Sequence, residues 1–234
     1  ETFSLAERLK GLMNLNFVEE LEMKLTLVRP TLEWKEKALD YRQEHFENNE
    51  MIINGSELLD KTDSYEDWLK SVTDNTSPDT VNPNWVVTDT FFAIDENENI
   101  IGIIDLRHTL NDFLKDFGNS GYSVRPSERR KGYATEMLRQ ILLIAKQAGL
   151  EEVHLSVERD NEPSVKTIVK NGGKYERSFE FEGEDIIFLC RILYLLCQIV
   201  RSLCNENRSL RHLFIIFNRT GKMGRVGNYN VRLR

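Results

Sequence analysis

The sequence predicts an α/β (α+β) fold in which helices flank a mixed sheet. Apolar stretches of strand length recur at Thr90–Ile94, Ile100–Arg107 and Glu152–Val157. Residues 131–148 carry Ala134, Met137, Leu138, Ile141, Leu142 and Ala145 at helical spacing, which gives one apolar face. The two patterns interleave as strand, helix, strand, helix, an order that buries helix stripes against a sheet. The 234 residues suffice for one large domain with extensions and a substantial core.

Residues 1–22 read as a helical leader, with Leu5, Leu9, Leu12 and Met13 at helical spacing. The domain proper is expected over residues 23–195, opening with a strand at Lys24–Arg29 that Pro30 ends. Thr31 is placed to cap a helix with Trp34, Ala38, Tyr41 and His45 as its stripe. Ser64-Tyr-Glu-Asp67 has the form of a capping box and opens a second helix through Trp68 and Leu69. Residues 73–88, rich in Asn, Asp, Thr and Pro, read as a long loop. A hairpin follows around Asp95–Asn99, then a variable stretch, then a central strand at Gly121–Val124. The helix of residues 131–148 stops at Gly149, a good C-cap residue. After the strand at Glu152–Val157, Asn161-Glu-Pro-Ser164 opens a helix that Gly172-Gly173 closes. Lys174–Glu182 and Asp185–Leu195 are the last expected strands.

Net charge is −7, which argues against a general nucleic-acid coat. The charge is divided unevenly. Residues 186–234 hold nine Lys/Arg and one Asp/Glu, against 22 and 37 in the rest, so residues 196–234 read as an atypical basic tail. Cys190, Cys197 and Cys204 all lie toward that end, without C-x₂-C spacing, and no metal role is expected of them. The cysteine-free body fits a reducing, cytoplasmic setting. Residues 1–22 lack the basic-then-apolar order of a signal peptide. The longest apolar run, Ile186–Val200, is interrupted by Arg191 and Gln198, so no membrane segment is expected.

The chain is organised around Tyr122–Thr135. A strand end runs through Pro126 into a basic turn and straight into a helix. Turn amides and a helix N-terminus together favour an anion. Arg129, Arg130 and Lys131 add cations, and Gly132 leaves room for close backbone approach. Neither a P-loop nor a dinucleotide fingerprint is present.

Arg129-Arg-Lys-Gly-Tyr-Ala134 resembles the acyl-CoA signature of the GNAT N-acetyltransferase superfamily: Arg or Gln, two free positions, Gly, one free position, then Gly or Ala. Asn161-Glu-Pro-Ser164 resembles that family's second signature, N-x-x-S. Arg107–Asn111 is similar to a segment of a poorly characterised bacterial subgroup. The resemblance covers about residues 23–185. It implies a bent mixed sheet that splays at the central strand, with acetyl-CoA as cosubstrate in the gap. The pantetheine arm would add to the backbone at Tyr122 and Val124. The pyrophosphate would sit on amides of Arg130, Lys131, Gly132, Tyr133, Ala134 and Thr135, with Arg129 adding charge. Asn161 and Ser164 would face the CoA arm. The acceptor would be a primary amine on a small molecule or peptide, and the protein a homodimer.

The reaction implied is direct attack of the amine on the thioester. His108 is the candidate base, with Asp105, Asp112 and Glu158 as rivals. Many relatives carry a Tyr four residues after the Ser of N-x-x-S, and here that position is Ile168. Tyr122, Tyr175, Thr167 or a water are the substitutes available for protonating the leaving thiolate. The alternative is a CoA-binding module that regulates or interacts rather than turns over.

Overall fold

Strands and helices alternate much as the apolar patterns require, and the computed structural model describes residues 24–192. The leader, the domain edges expected near residues 23 and 195, Cys197, Cys204 and the basic tail lie outside the described residues. Two sheets are formed. In the first, β1 (Thr26–Val28), β2 (Thr88–Ile94), β3 (Ile100–Arg107) and β4 (Tyr122–Val124) lie in that order, all antiparallel. The second orders β5 (Glu152–Glu158), β7 (Glu184–Ile192) and β6 (Lys174–Phe181), with β6 and β7 antiparallel. Four α-helices complete the described part: α1 (Lys35–Glu47), α2 (Tyr65–Asp74), α3 (Tyr133–Gln147) and α4 (Glu162–Lys170).

β2 and β3 are buried along almost their whole length, which is why they read as apolar runs and not as alternations. Helices cover both faces. On one, Ile103 and Phe92 join Ala38 and Tyr41 of α1 and Trp68 and Val72 of α2 in a single cluster. Gly102 points the other way, and a Cβ there would meet Met137 Sδ of α3 at 2.7 Å. A glycine at this point lets α3 lie close on β3.

The caps follow local chemistry. Ser64 Oγ accepts the Asp67 N–H (3.2 Å) and starts α2 as expected. Thr31 caps nothing with its side chain. A 3₁₀ turn, Leu32–Trp34, comes first, and α1 therefore begins only at Lys35. α4 starts on Asn161, whose Oδ1 accepts the Ser164 N–H at 3.2 Å.

The two sheets meet over a few residues. Gly118 bridges Leu155, Asn119 N–H donates to His154 O (2.7 Å), and His154 N–H donates to Asn119 Oδ1 (2.9 Å). Past this seam β4 and β5 part, and a cleft lies between them. Among the described residues no helix is long and apolar enough to cross a membrane.

Candidate functional site

The cleft holds about 360 Å³. Gly121 and Tyr122 line one wall, Leu155 to Glu158 the other, and Asn161, Ser164 and Ile168 of α4 close the end. β4 is the last strand of its sheet, so one of its edges has no strand partner. Asp105 N–H donates to Gly121 O and Arg125 N–H to Ile101 O, which turns those residues toward β3. Antiparallel alternation then turns the main-chain groups of Tyr122 and Val124 to the free edge.

Directly after β4 the chain makes the basic turn. Arg130 (φ +63°) and Gly132 (φ +93°) both take left-handed backbone before α3 begins. Among the described residues the amides of Arg130, Lys131, Gly132, Tyr133 and Ala134 donate to nothing, whereas Thr135 N–H is used by Gly132 O. Five unpartnered N–H groups at the positive end of a 15-residue helix make an anion cradle.

Two of the three cations beside it are engaged. Arg129 grips Glu50 through both terminal nitrogens at 2.5 Å and donates from Nε to Val124 O (3.1 Å). That pairing holds the Glu50 carboxyl below the usual carboxylate range. Arg129 is thus a brace between the turn and the end of α1, where the sequence suggested a mobile cation. Lys131 pairs with Glu128 at 2.8 Å. Arg130 is exposed and makes no ion pair among the described residues, leaving it to supply mobile charge. A second brace runs from Glu44 of α1 to Ser127 N–H (2.7 Å) and Arg125 (2.8 Å).

The chain matches the acetyltransferase (GNAT) domain family over residues 24–174. It belongs to that family. Solved structures of the same fold include the Salmonella typhimurium protein yncA with its cofactor acetyl-CoA, at 14% identity and TM-score 0.52, covering 72% of this chain and 94% of that one. A dodecameric spermidine N-acetyltransferase from Vibrio cholerae matches at 17% identity and TM-score 0.52, covering 74% and 96%. The microcin C7 self-immunity acetyltransferase MccE, in complex with acetyl-CoA and AMP, matches at 16% identity and TM-score 0.54, covering 74% and 94%. Among curated proteins no sequence relative matches.

Within the GNAT domain, the predicted residues fall into three groups. Tyr122, Asn161 and Ser164 line the cleft; Val124 lies on the free edge and Arg130 to Ala134 form the cradle; Arg129 is spent on Glu50 and the Thr135 amide on Gly132 O. Asn161 spends its Oδ1 on the cap of α4. Ile168 is buried against the cleft. Tyr122 Oη is buried beside the hydroxyls of Ser164 and Thr167. Burial pushes its pKa up and those two hydroxyls pull it down, with the net direction upward. The phenol therefore keeps its proton at neutral pH.

His108 is not brought to the cleft. Its amide donates to Val87 O, and its Nε2 sits 2.9 Å from Asp89 Oδ2, so the ring turns toward β2 instead of the gap. Asp105 is fully buried and fixed by Arg107 (2.6 Å) and by Gly121 N–H (2.5 Å). Sequence reasoning missed Glu57, in the loop between α1 and α2. It lies 3.5 Å from Arg107 with its side chain mostly enclosed. Burial first, then the nearby charge of Asp105, pushes its carboxyl up to about 7 against the pull of Arg107. Nothing in an unpatterned loop signals this. The fold also gathers Glu152, His154 and Cys190, whose donor atoms lie within 4.8 Å of one another, a grouping that cysteine spacing did not suggest. None of the three lines the cleft.

Proposed function

We propose that the domain transfers an acetyl group from acetyl-CoA to a primary amine by direct attack. The observation that carries this is the continuity of the free β4 edge with five unpartnered amides at the start of α3. An extended polar arm fits the first and a pyrophosphate fits the second. Bound acetyl-CoA supplies the activated thioester carbonyl. Val124 N–H, on the free edge, donates to the carbonyl oxygen as charge grows there. As the C–N bond forms and the C–S bond breaks, Tyr122 gives its Oη proton to the departing sulfur, the task for which Ile168 has no group, and the proton that the nitrogen sheds passes to water, which restores the phenol. The acetyl-CoA-bound and spermidine-acetylating structures named above support the cofactor and the amine class. A cytoplasmic location and a homodimer belong to the same reading.

A second reading is favoured by one observation. With Ile168 at the usual tyrosine position, the domain would bind acetyl-CoA and regulate a partner without turnover.

Thermal-shift titration with acetyl-CoA tests the shared part. We expect stabilisation that grows with ligand concentration in wild type. Gly132→Val should lose it, because a β-branched residue at φ +93° costs roughly 1–2 kcal/mol and distorts the cradle. No shift in wild type would sink both readings. Thiol release over an amine panel then separates them.

A further inference from the structure

A second cavity, of about 410 Å³, lies beside the cleft and shares Asn54, Gly55 and Arg107 with it. Its mouth is apolar. Ile52, Leu58, Trp85 and Phe113 are 68%, 46%, 39% and 71% exposed, and all four line this one cavity. Four large apolar side chains left open around one hollow are a binding surface in search of an apolar group.

The charged lining comprises Glu57, Asp60, Lys61 and Arg107, two of each sign. That is not the wall of a site for a long polycation. The cluster under it is nonetheless short of one positive charge. Arg107 makes its close contact to the fully buried Asp105, at 2.6 Å, and only a loose one to Glu57, at 3.5 Å. Two enclosed carboxylates thus share one guanidinium. Glu57, beside Asp105, makes up the difference by holding a proton up to about pH 7, and a ligand ammonium would take that proton's place.

The backbone here is held in an uncommon form. Glu57 and Leu58 have φ +48° and +69°, consecutive left-handed residues without glycine. Trp68 Nε1 holds the segment by donating to Ser56 O (2.9 Å) and Glu57 O (3.1 Å). Next to it Gly55 packs on Gly121, where a Cβ would lie 2.2 Å from Gly121 O. Strain kept in place by tertiary contacts is characteristic of working loops. It sets the Glu57 carboxyl under the cavity and the Leu58 side chain at its rim.

We propose that this cavity is the acceptor site, and that the acceptor is a primary monoamine with one apolar or aromatic arm. Its ammonium lies against Glu57 and its arm against Leu58, Trp85 and Phe113. The shared residues Asn54, Gly55 and Arg107 lead the nitrogen toward the cleft. This rests on the acetyltransferase reading above, and the test keeps the two apart.

Acetyl-CoA stabilisation is measured first, and its absence condemns the acetyltransferase reading and this proposal with it. With that established, phenethylamine, hexylamine and spermidine are compared by thiol release and by quenching or shift of tryptophan emission. We expect kcat/KM for phenethylamine at least tenfold above that for spermidine, with saturable emission changes that Trp85→Ala removes. Glu57→Gln should lower phenethylamine kcat/KM at least tenfold, and Phe113→Ala should raise KM while leaving kcat within twofold. Retained acetyl-CoA stabilisation certifies that each variant is folded. Preference for spermidine, or phenethylamine binding indifferent to both Glu57 and Trp85, overturns the proposal while leaving the acetyltransferase reading intact. If no amine is acetylated, the emission titration decides: a Trp85-dependent response supports the site, and no response overturns it.

Discussion

In the proposed reaction Tyr122 takes over the work of another position. The family tyrosine belongs one turn into α4 past Ser164, and Ile168 stands there. Tyr122 comes from β4 instead, and its hydroxyl reaches the same neighbourhood, beside Ser164 and Thr167. The phenol stands at the cleft with its proton held on Oη, beside those two hydroxyls. Removing the Tyr122 hydroxyl separates stability from chemistry. Tyr122→Phe should leave thermal stability within about 1.5 kcal/mol, the range for one neutral hydrogen bond. The acetyl-CoA shift should also be unchanged. kcat should fall by about 10²-fold, the lower end for loss of a general acid. A variant with wild-type kcat would show that the thiolate leaves without this proton.

Two of the four described α-helices, α2 and α4, start on a side-chain cap. Ser64→Ala removes the acceptor for Asp67 N–H and should cost about 1 kcal/mol, visible as a lower Tm with no change in the acetyl-CoA shift. If Tm is unchanged, α2 is held by Tyr65, Trp68 and Val72 alone. The same logic explains what could be read in the sequence. α3 was legible because five of its apolar positions are buried at one spacing, and α4 because Asn161 caps it. The hairpin of β2 and β3 was legible as two apolar runs around a polar turn. The start of α1 was not, since Thr31 has the right chemistry but its side chain makes no cap bond. At the site, the run of unpartnered amides could be read because it is built from the backbone of consecutive residues. Glu57 could not, because its perturbation comes from burial and from the charge of Asp105, neither of which is set by its neighbours in the chain. The placement of His108 could not be read either, its partner Asp89 being set by strand pairing.

At the scale of the whole molecule, the Glu57 cluster becomes a dependence of folding stability on pH. Its carboxyl titrates near 7 when folded and near 4.5 when unfolded, because burial and Asp105 outweigh Arg107. Between those values the folded chain holds a proton that the unfolded chain has released. Stability contributed by Glu57 therefore falls as pH rises from about 4.5 to about 7, and is level above that. The slope cannot exceed about 1.4 kcal/mol per pH unit for one proton. His45 tilts the curve the other way. Burial holds its imidazole below 6.5 despite Glu50, so its contribution grows as pH rises toward 6.5. The two slopes oppose each other in wild type, and only a difference exposes either. Urea unfolding of wild type and Glu57→Gln across this range should show the variant gaining relative stability as pH rises, while His45 cancels from the comparison. A difference that stays constant with pH would mean that Asp105 and Glu57 are already balanced by Arg107. The enclosed cluster would then have no unmet need for a ligand ammonium.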